Sequence, residues 1–270
     1  MASIERLESH LGALSGAVLG YSGGVDSAVL AVVGARALGP ARFLAVLGRS
    51  ASYPEVQWRT AVELAGRFAV PLLEVDTDEL ADPEYVANPL NRCFFCKSEL
   101  WRVLGAVAAD RGFEFLLDGT NTDDLNEHRP GAAAGAARRV HSPFVELGWT
   151  KADVREAARG LGLPTWDAPA APCLSSRIRF GLPVTAERLR QVELAEDLVR
   201  ACGVTGDVRV RHLGDRARVE VLPAERALVE ACWEEVRGRL QALGFADAEL
   251  DPRGYRRGSL LPIASTPDGR

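Results

Sequence analysis

The sequence predicts an α/β protein: a parallel-sheet domain with helices on both faces, followed by a smaller C-terminal α+β domain. Three observations predict it. Short apolar runs alternate with longer helical patterns through the first half of the chain. A glycine-rich turn, Gly20-Tyr21-Ser22-Gly23-Gly24-Val25-Asp26-Ser27, joins one such run to the helix after it. A second polar turn, Asp118-Gly119-Thr120-Asn121-Thr122-Asp123-Asp124, follows a later run directly. Parallel sheets bind ligands beyond the carboxyl ends of their strands, so the two turns are expected to be two walls of one binding site.

Each element has a local reason. Residues 4–11 pattern as an amphipathic helix. Gly16 to Leu19 reads as a buried strand, and Ala28 to Val33, too long and Ala-rich for another, as a buried helix. A strand is expected at 42–47 and a helix at about 54–68, with Val62, Leu64, Ala65 and Phe68 facing inward. Pro71 precedes a strand at 72–76. A polar connection carrying Cys93 and Cys96 leads to a helix at about 98–110, then a strand at 113–117. The Ala- and Gly-rich stretch 130–137 reads as a loop, and 150–161 as a capped helix ended by Pro164. Two prolines stiffen 167–173 and exclude helix there. The domain boundary is placed near Gly181-Leu182-Pro183, giving domains 1–182 and 183–262 and a disordered tail at 263–270. The second domain reads as a helix (186–202), a hairpin (208–213 and 217–222, turning at Gly214-Asp215), a helix (224–243) and a last short strand or tail.

With 270 residues, 47% hydrophobic and 26% charged, the chain has the composition of a soluble globular protein. Its formal net charge of −5 supplies no global field to recruit nucleic acid. No apolar run reaches membrane-spanning length, and the acidic N-terminal helix is unlike a signal peptide, so a cytoplasmic protein is expected. Five cysteines in a reducing compartment are then not a disulfide framework. Of 32 basic residues only Lys97 and Lys151 are lysines.

Ser22 to Ser27 suits a phosphate chain: unhindered backbone N–H groups, two hydroxyls and a helix N-terminus converge on it. Neither G-x-x-x-x-G-K-[ST] nor G-x-G-x-x-G is present. Asp123 and Asp124 are candidates for Mg²⁺ or the ribose, and one of them for a cap. Cys93 and Cys96 have the i, i+3 spacing that directs two thiolates at one metal or forms a redox pair. Cys173 sits in the stiff loop. Either the three thiols make a site one short of the four that fill a cubane iron–sulfur cluster, or they are a buried pair and an unrelated loop thiol. Cys202 and Cys232 fall in helical patterns and read as small core residues. Arg209 and Arg211 alternate with Val208 and Val210, which puts both guanidiniums on one side of a strand, where they suit a phosphate or carboxylate, or form a solvated charged face. Arg177 and Arg179 could join them, and Glu220 could balance an arginine or hold a metal. His10, His128, His141 and His212 form no ligand spacing.

The segment Ser22-Gly23-Gly24-Val25-Asp26-Ser27 resembles the loop of the PP-loop ATP-pyrophosphatase superfamily, whose members adenylate a substrate oxygen and release pyrophosphate. Taken with Asn91 to Lys97 (N-R-C-F-F-C-K), Gly119 to Asp124, Arg129-Pro130-Gly131 and Pro172-Cys173-Leu174-Ser175-Ser176-Arg177, the sequence resembles the LarE family over residues 15–222. That resemblance implies a homo-oligomeric, ATP- and Mg²⁺-dependent sulfur transferase of nickel-pincer nucleotide synthesis, the cofactor of lactate racemase. It implies adenylation of a carboxylate of pyridinium-3,5-biscarboxylic acid mononucleotide and its conversion to a thiocarboxylate. Loop residues Ser22, Gly23, Gly24, Val25, Asp26 and Ser27, with Gly119, Thr120, Asn121, Asp123 and Asp124, would hold ATP; Ser176, Arg177, Arg209 and Arg211 would hold substrate. In one kind of member the cysteine matching Cys173 surrenders its own sulfur; in the other three cysteines hold a [4Fe-4S] cluster. Cys93, Cys96 and Cys173 match the cluster kind, with the sulfur source unknown. The family's carboxylate metal site matches Glu220 best, with Asp197 a weaker match. A tRNA-thiolating enzyme of the same superfamily is the nearest rival, and the acidic net charge and small second domain count against it.

Overall fold

A computed structural model describes residues 3–126, 130–169, 172–256 and 258–260. The expected tail at 263–270, and Arg129 of the Arg-Pro-Gly motif, lie outside the described residues. The elements run α1 (Ile4–Gly12), β1 (Ala17–Gly20), α2 (Val25–Leu38), β2 (Phe43–Arg49), α3 (Glu55–Arg67), β3 (Leu72–Asp76), α4 (Pro83–Val86), α5 (Arg92–Arg111), β4 (Phe115–Leu117), α6 (Pro130–Ala137), α7 (Pro143–Glu146) and α8 (Lys151–Gly160). They continue as α9 (Ala186–Arg200), β5 (Val208–His212), β6 (Arg216–Val221), α10 (Arg226–Ala231), α11 (Trp233–Ala242) and β7 (Asp247–Leu250).

The chain forms two compact units. One holds the described residues up to Tyr85 together with Asn91–Pro172; the other holds Val86–Leu90 and the described residues from Cys173 onward. The break thus falls between Pro172 and Cys173, where the sequence placed it near residue 182. Asn88 is the reason: its buried side-chain amide donates to the carbonyls of Arg179 and Leu182, each at 2.9 Å, and so stitches residues 178–182 to 86–90.

In the first unit the strands are all parallel, in the order β3-β2-β1-β4. Helix α2 is nearly all apolar, as a helix covered on both sides must be. Val29, Leu30, Val32 and Val33 are fully buried between the sheet and helices α1, α3 and α8. Each such side chain contributes roughly 1.5–3 kcal/mol, which makes α2 the fixed post behind the glycine turn. On the other face, Trp101, Leu104 and Ala108 of α5 recur at helical spacing and pack on Val18, Leu44 and Val46.

Two expectations fail on that second face. Cys93 and Cys96 are not in a polar connection: α5 starts at Arg92, and they are its second and fifth residues. The polar residues of this stretch sit in a helix rather than in a loop, Arg92 buried and Lys97 exposed. Residues 130–137 are also helical, as α6. Alanine is the best helix former, a proline is tolerated at the first helical position, and the small side chains let α6 lie against α5. A Cβ at Gly131 would stand 3.0 Å from the Lys97 side chain.

In the second unit β5 and β6 form the expected hairpin, with Val208 opposite Val221 and Arg211 opposite Arg218. The last strand, β7, adds to β6 in parallel. Val208, Val210, Val219 and Val221 pack with Val199, Val229, Val236 and Leu240. The helix expected at 224–243 is two helices, α10 and α11, broken at Cys232. Cys202 and Cys232 are joined by a disulfide, contrary to the expectation of two unlinked core thiols. The end of α9 and the break between α10 and α11 meet there, a pairing that helical periodicity alone does not reveal. Among the described residues, no helix is long and apolar enough to cross a membrane.

Candidate active site

The turn between β1 and α2 is shaped by Gly23. Its φ is 68°, a left-handed conformation that disfavours any side chain. A Cβ there would also meet the Ala61 Cβ of α3 at 2.6 Å. Gly24 follows at the N-cap of α2 with no side-chain cap of its own, so the first amides of the helix are left for an outside acceptor. Inside the turn, Ser27 Oγ donates to the Gly24 carbonyl at 3.0 Å and lies 3.2 Å from both the Ser22 amide and the Ser22 hydroxyl. Val25 and Ser27 are buried and Ser22 is exposed.

The turn after β4 closes on the same place. A Cβ at Gly119 would lie 3.0 Å from the Ser27 amide nitrogen and 2.9 Å from Asp26 Cβ, so only glycine permits this approach. Asn121 is fully buried, and its Nδ2 donates to Asp26 at 3.2 Å and to Asp124 at 3.0 Å. Neither aspartate is the N-cap of an α-helix beginning at Leu125, since the described chain there forms only a short turn. Asn121 instead caps a short turn over Thr122–Asn126: its Oδ1 accepts from the Asp123 amide at 3.1 Å, while Asp124 Oδ2 accepts from the Asn121 amide at 3.2 Å. Thr120 is pinned through its amide and hydroxyl to Asp118, which also accepts from Ser142 at 2.7 Å.

Lys151 completes this arrangement, and sequence reasoning missed it. Its ammonium reaches Asp26 Oδ2 at 2.5 Å, and its backbone amide donates to Asp123 Oδ2 at 2.9 Å. One residue thus ties the first turn of α2 to the turn after β4, from the start of α8. The signal was present: thirty basic residues are arginines, and a compact ammonium survives at only two positions. The other, Lys97, follows Cys96 in α5, 5.9 Å from the ring of Trp101.

Cys93 is exposed and Cys96 half-buried, on one turn of α5. In the second unit, Cys173 opens a short turn over Leu174–Arg177, and its Sγ lies 3.0 Å from the buried Ser175 hydroxyl. These three stand outside the disulfide. Three thiols suit an iron–sulfur centre in kind, and the helical pair supplies two on one face. Among the described residues, no group of three His, Cys, Asp or Glu side chains is gathered as for a metal.

Arg177, Arg209 and Arg211 lie together in the second unit, and the solvated-face alternative does not hold: all three are buried. Arg177 forks onto Glu196 at 2.8 and 3.1 Å and donates to the Cys173 carbonyl at 3.0 Å and the Ser176 hydroxyl at 3.1 Å. Arg209 pairs with Asp207 at 3.0 Å and stacks 4.9 Å from the ring of Tyr255. Its guanidinium is held below its usual pKa by burial first and by neighbouring Arg177 second. Arg211 pairs with Glu220 at 2.8 Å and reaches the Ser176 carbonyl at 3.4 Å. Glu220, fully buried, also takes Arg218 at 3.1 Å and the Ser259 hydroxyl at 2.9 Å. That makes it a counter-ion for two arginines. Asp197 is raised above its usual pKa, mainly by burial.

The comparisons with known proteins agree with this geometry. The model of the NAD synthase family matches residues 3–84, the segment from α1 into α4 that carries the glycine turn. The uncharacterized protein slr1717 of Synechocystis sp. is 39% identical over 96% of this chain and 97% of its own length. The pyridinium-3,5-bisthiocarboxylic acid mononucleotide synthase of Lactiplantibacillus plantarum is 31% identical over 89% of this chain and 87% of its own. The chain belongs to the LarE family. Its likeness to a GMP synthase of Aeropyrum pernix, 33% identical over 68% of this chain but 39% of that protein, reaches the wider superfamily. As a LarE-family protein it carries the glycine turn in the first unit and Cys173-Leu174-Ser175-Ser176-Arg177 in the second, with Pro172 the last residue of the first.

Proposed function

We propose that this chain is an ATP-dependent sulfur transferase that adenylates a carboxylate of pyridinium-3,5-biscarboxylic acid mononucleotide and converts it to a thiocarboxylate. The observation that carries the proposal is the match to the Lactiplantibacillus plantarum synthase along nearly the whole of both chains. The interlocked Asp26, Asn121, Asp123 and Lys151 at the glycine turn support it.

In this mechanism the first amides of α2, with Ser22 and Ser27, hold the β- and γ-phosphates of ATP. Lys151 offsets the charge of Asp26 beside them, and Asp123 and Asp124, hard oxygen donors, hold the accompanying Mg²⁺. A substrate carboxylate oxygen attacks the α-phosphorus, and pyrophosphate leaves. The acyl adenylate that results replaces a poor leaving group with a good one, AMP. A sulfur nucleophile then attacks the acyl carbon and AMP departs, so one C–O bond becomes a C–S bond. Arg209 and Arg211 hold the substrate's anionic groups, and their carboxylate partners keep both forks oriented when substrate is absent. Ser176 and Arg177 order the segment around Cys173.

Cys93, Cys96 and Cys173 would hold a [4Fe-4S] cluster, which supplies, when bound, an iron open to exogenous sulfide. Anaerobic purification followed by iron and sulfide analysis tests this. Cluster-level iron, lost together with activity on replacing any one of the three, supports it. Intact mass that falls by the elements of H₂S after one turnover, with Cys93→Ala and Cys96→Ala still active, assigns the sulfur to Cys173 itself.

A further inference from the structure

The carbonyl of Ser22 is turned toward α3 by two donors. The Tyr53 hydroxyl donates to it at 2.9 Å and the Gln57 Nε2 at 3.3 Å. Ser22 and Gly23 share one peptide plane, and in a trans peptide the C=O and the N–H point to opposite sides. Fixing the carbonyl toward Tyr53 and Gln57 therefore fixes the Gly23 N–H away from them. With no side chain and a φ of 68°, Gly23 is the residue beside which such a plane flips most readily. Two outside hydrogen bonds are what select one orientation.

We infer that Tyr53 and Gln57 are positioning residues that set the Ser22–Gly23 peptide with its N–H toward the polyphosphate. The inference rests on the ATP reading above and goes beyond it, since neither side chain belongs to the glycine turn. Tyr53 is suited to the task. Its phenol is held neutral and donating, because burial, and then the neighbouring Tyr21, raise its pKa. The segment that carries it is anchored just upstream, where Ser50 and Ser52 each donate to the buried Glu79 carboxylate at 2.6 Å. Tyr21 in turn donates to the Ala61 carbonyl of α3 at 2.9 Å, holding the helix of Gln57 against the start of the turn. A preorganised amide of this kind is what an anion site requires, since no reorganisation is left for the moment of binding.

The test is calorimetric titration of the full chain with inorganic pyrophosphate and, separately, with adenosine. Tyr53→Phe keeps the ring and removes the donor. It is expected to weaken pyrophosphate about tenfold, as loss of one net hydrogen bond allows, and to leave adenosine affinity unchanged. Gln57→Leu on the adjacent helix is expected to do the same to a lesser degree, and it decides the matter if Tyr53→Phe loses its near-ultraviolet circular dichroism. Unchanged pyrophosphate binding in the variants, or equal weakening of both ligands, would overturn the inference and leave the ATP reading standing. A wild-type chain that binds no pyrophosphate would remove both.

Discussion

Replacing Lys151 by methionine isolates the electrostatic part of the nucleotide site. The side chain keeps its length and loses its charge. Asp26 then loses the ammonium at 2.5 Å while keeping the Asn121 amide at 3.2 Å. A hydrogen bond between charged groups contributes roughly 1.5–3 kcal/mol. Lys151 is 37% exposed and Asp26 24%, so solvent screening lowers that to about 1–2 kcal/mol. The unbalanced carboxylate would stand beside the incoming polyphosphate, and the loss appears as a five- to thirtyfold rise in the KM for ATP. Pyrophosphate release at saturating pyridinium substrate measures it. Raising the salt concentration should narrow the gap between variant and wild type, because the effect is partly screened charge. Lys151→Arg should recover most of the affinity. An unchanged KM, or tighter ATP binding in Lys151→Met, would refute the role given to this residue.

Other outcomes are equally specific. Gly23→Ala should abolish measurable ATP affinity and destabilise the first unit by about 1–3 kcal/mol, from a disfavoured backbone and overlap with Ala61, read by nucleotide titration and urea unfolding. Burial pushes the His212 ring down to about 4. Its folded form stays neutral while the unfolded chain takes up a proton below about pH 6.5, so stability falls as pH drops from 6.5 toward 4 and this loss ends there. His212→Asn should flatten that part of the urea-unfolding profile, worth about 3 kcal/mol. The double change Cys202→Ser and Cys232→Ser opens a loop with a sequence separation of 30 residues. It should cost the second unit about 3–4 kcal/mol by loop entropy and leave pyrophosphate release as in wild type.

What the sequence made legible follows from period and punctuation. The glycine turn could be read because a strand, a turn and an apolar helix are each local, and the same holds for the Arg209 and Arg211 face of β5. Helix α6 was hidden because its Ala-Gly composition carries no amphipathic period, and its glycines read as loop although its alanines favour helix. The first turn of α5 was hidden because Asn91 and Arg92 read as polar punctuation, whereas Arg92 is buried inside the helix. Lys151 and Glu196 were missed for another reason. Each acts across a long sequence separation, Lys151 on Asp26 from 125 residues away, and no local pattern encodes such a partner. The same applies to the disulfide, whose two cysteines have no shared motif.

The most direct measurement mixes the purified chain with ATP, Mg²⁺ and pyridinium-3,5-biscarboxylic acid mononucleotide under anaerobic conditions with sulfide, and follows nucleotide and pyridinium products together by mass spectrometry. The predicted result is AMP and pyrophosphate in equal amounts, formed only when the pyridinium substrate is present, and a pyridinium product in which sulfur has replaced oxygen. Formation of ADP, or pyrophosphate release that ignores the pyridinium substrate, would contradict the assignment.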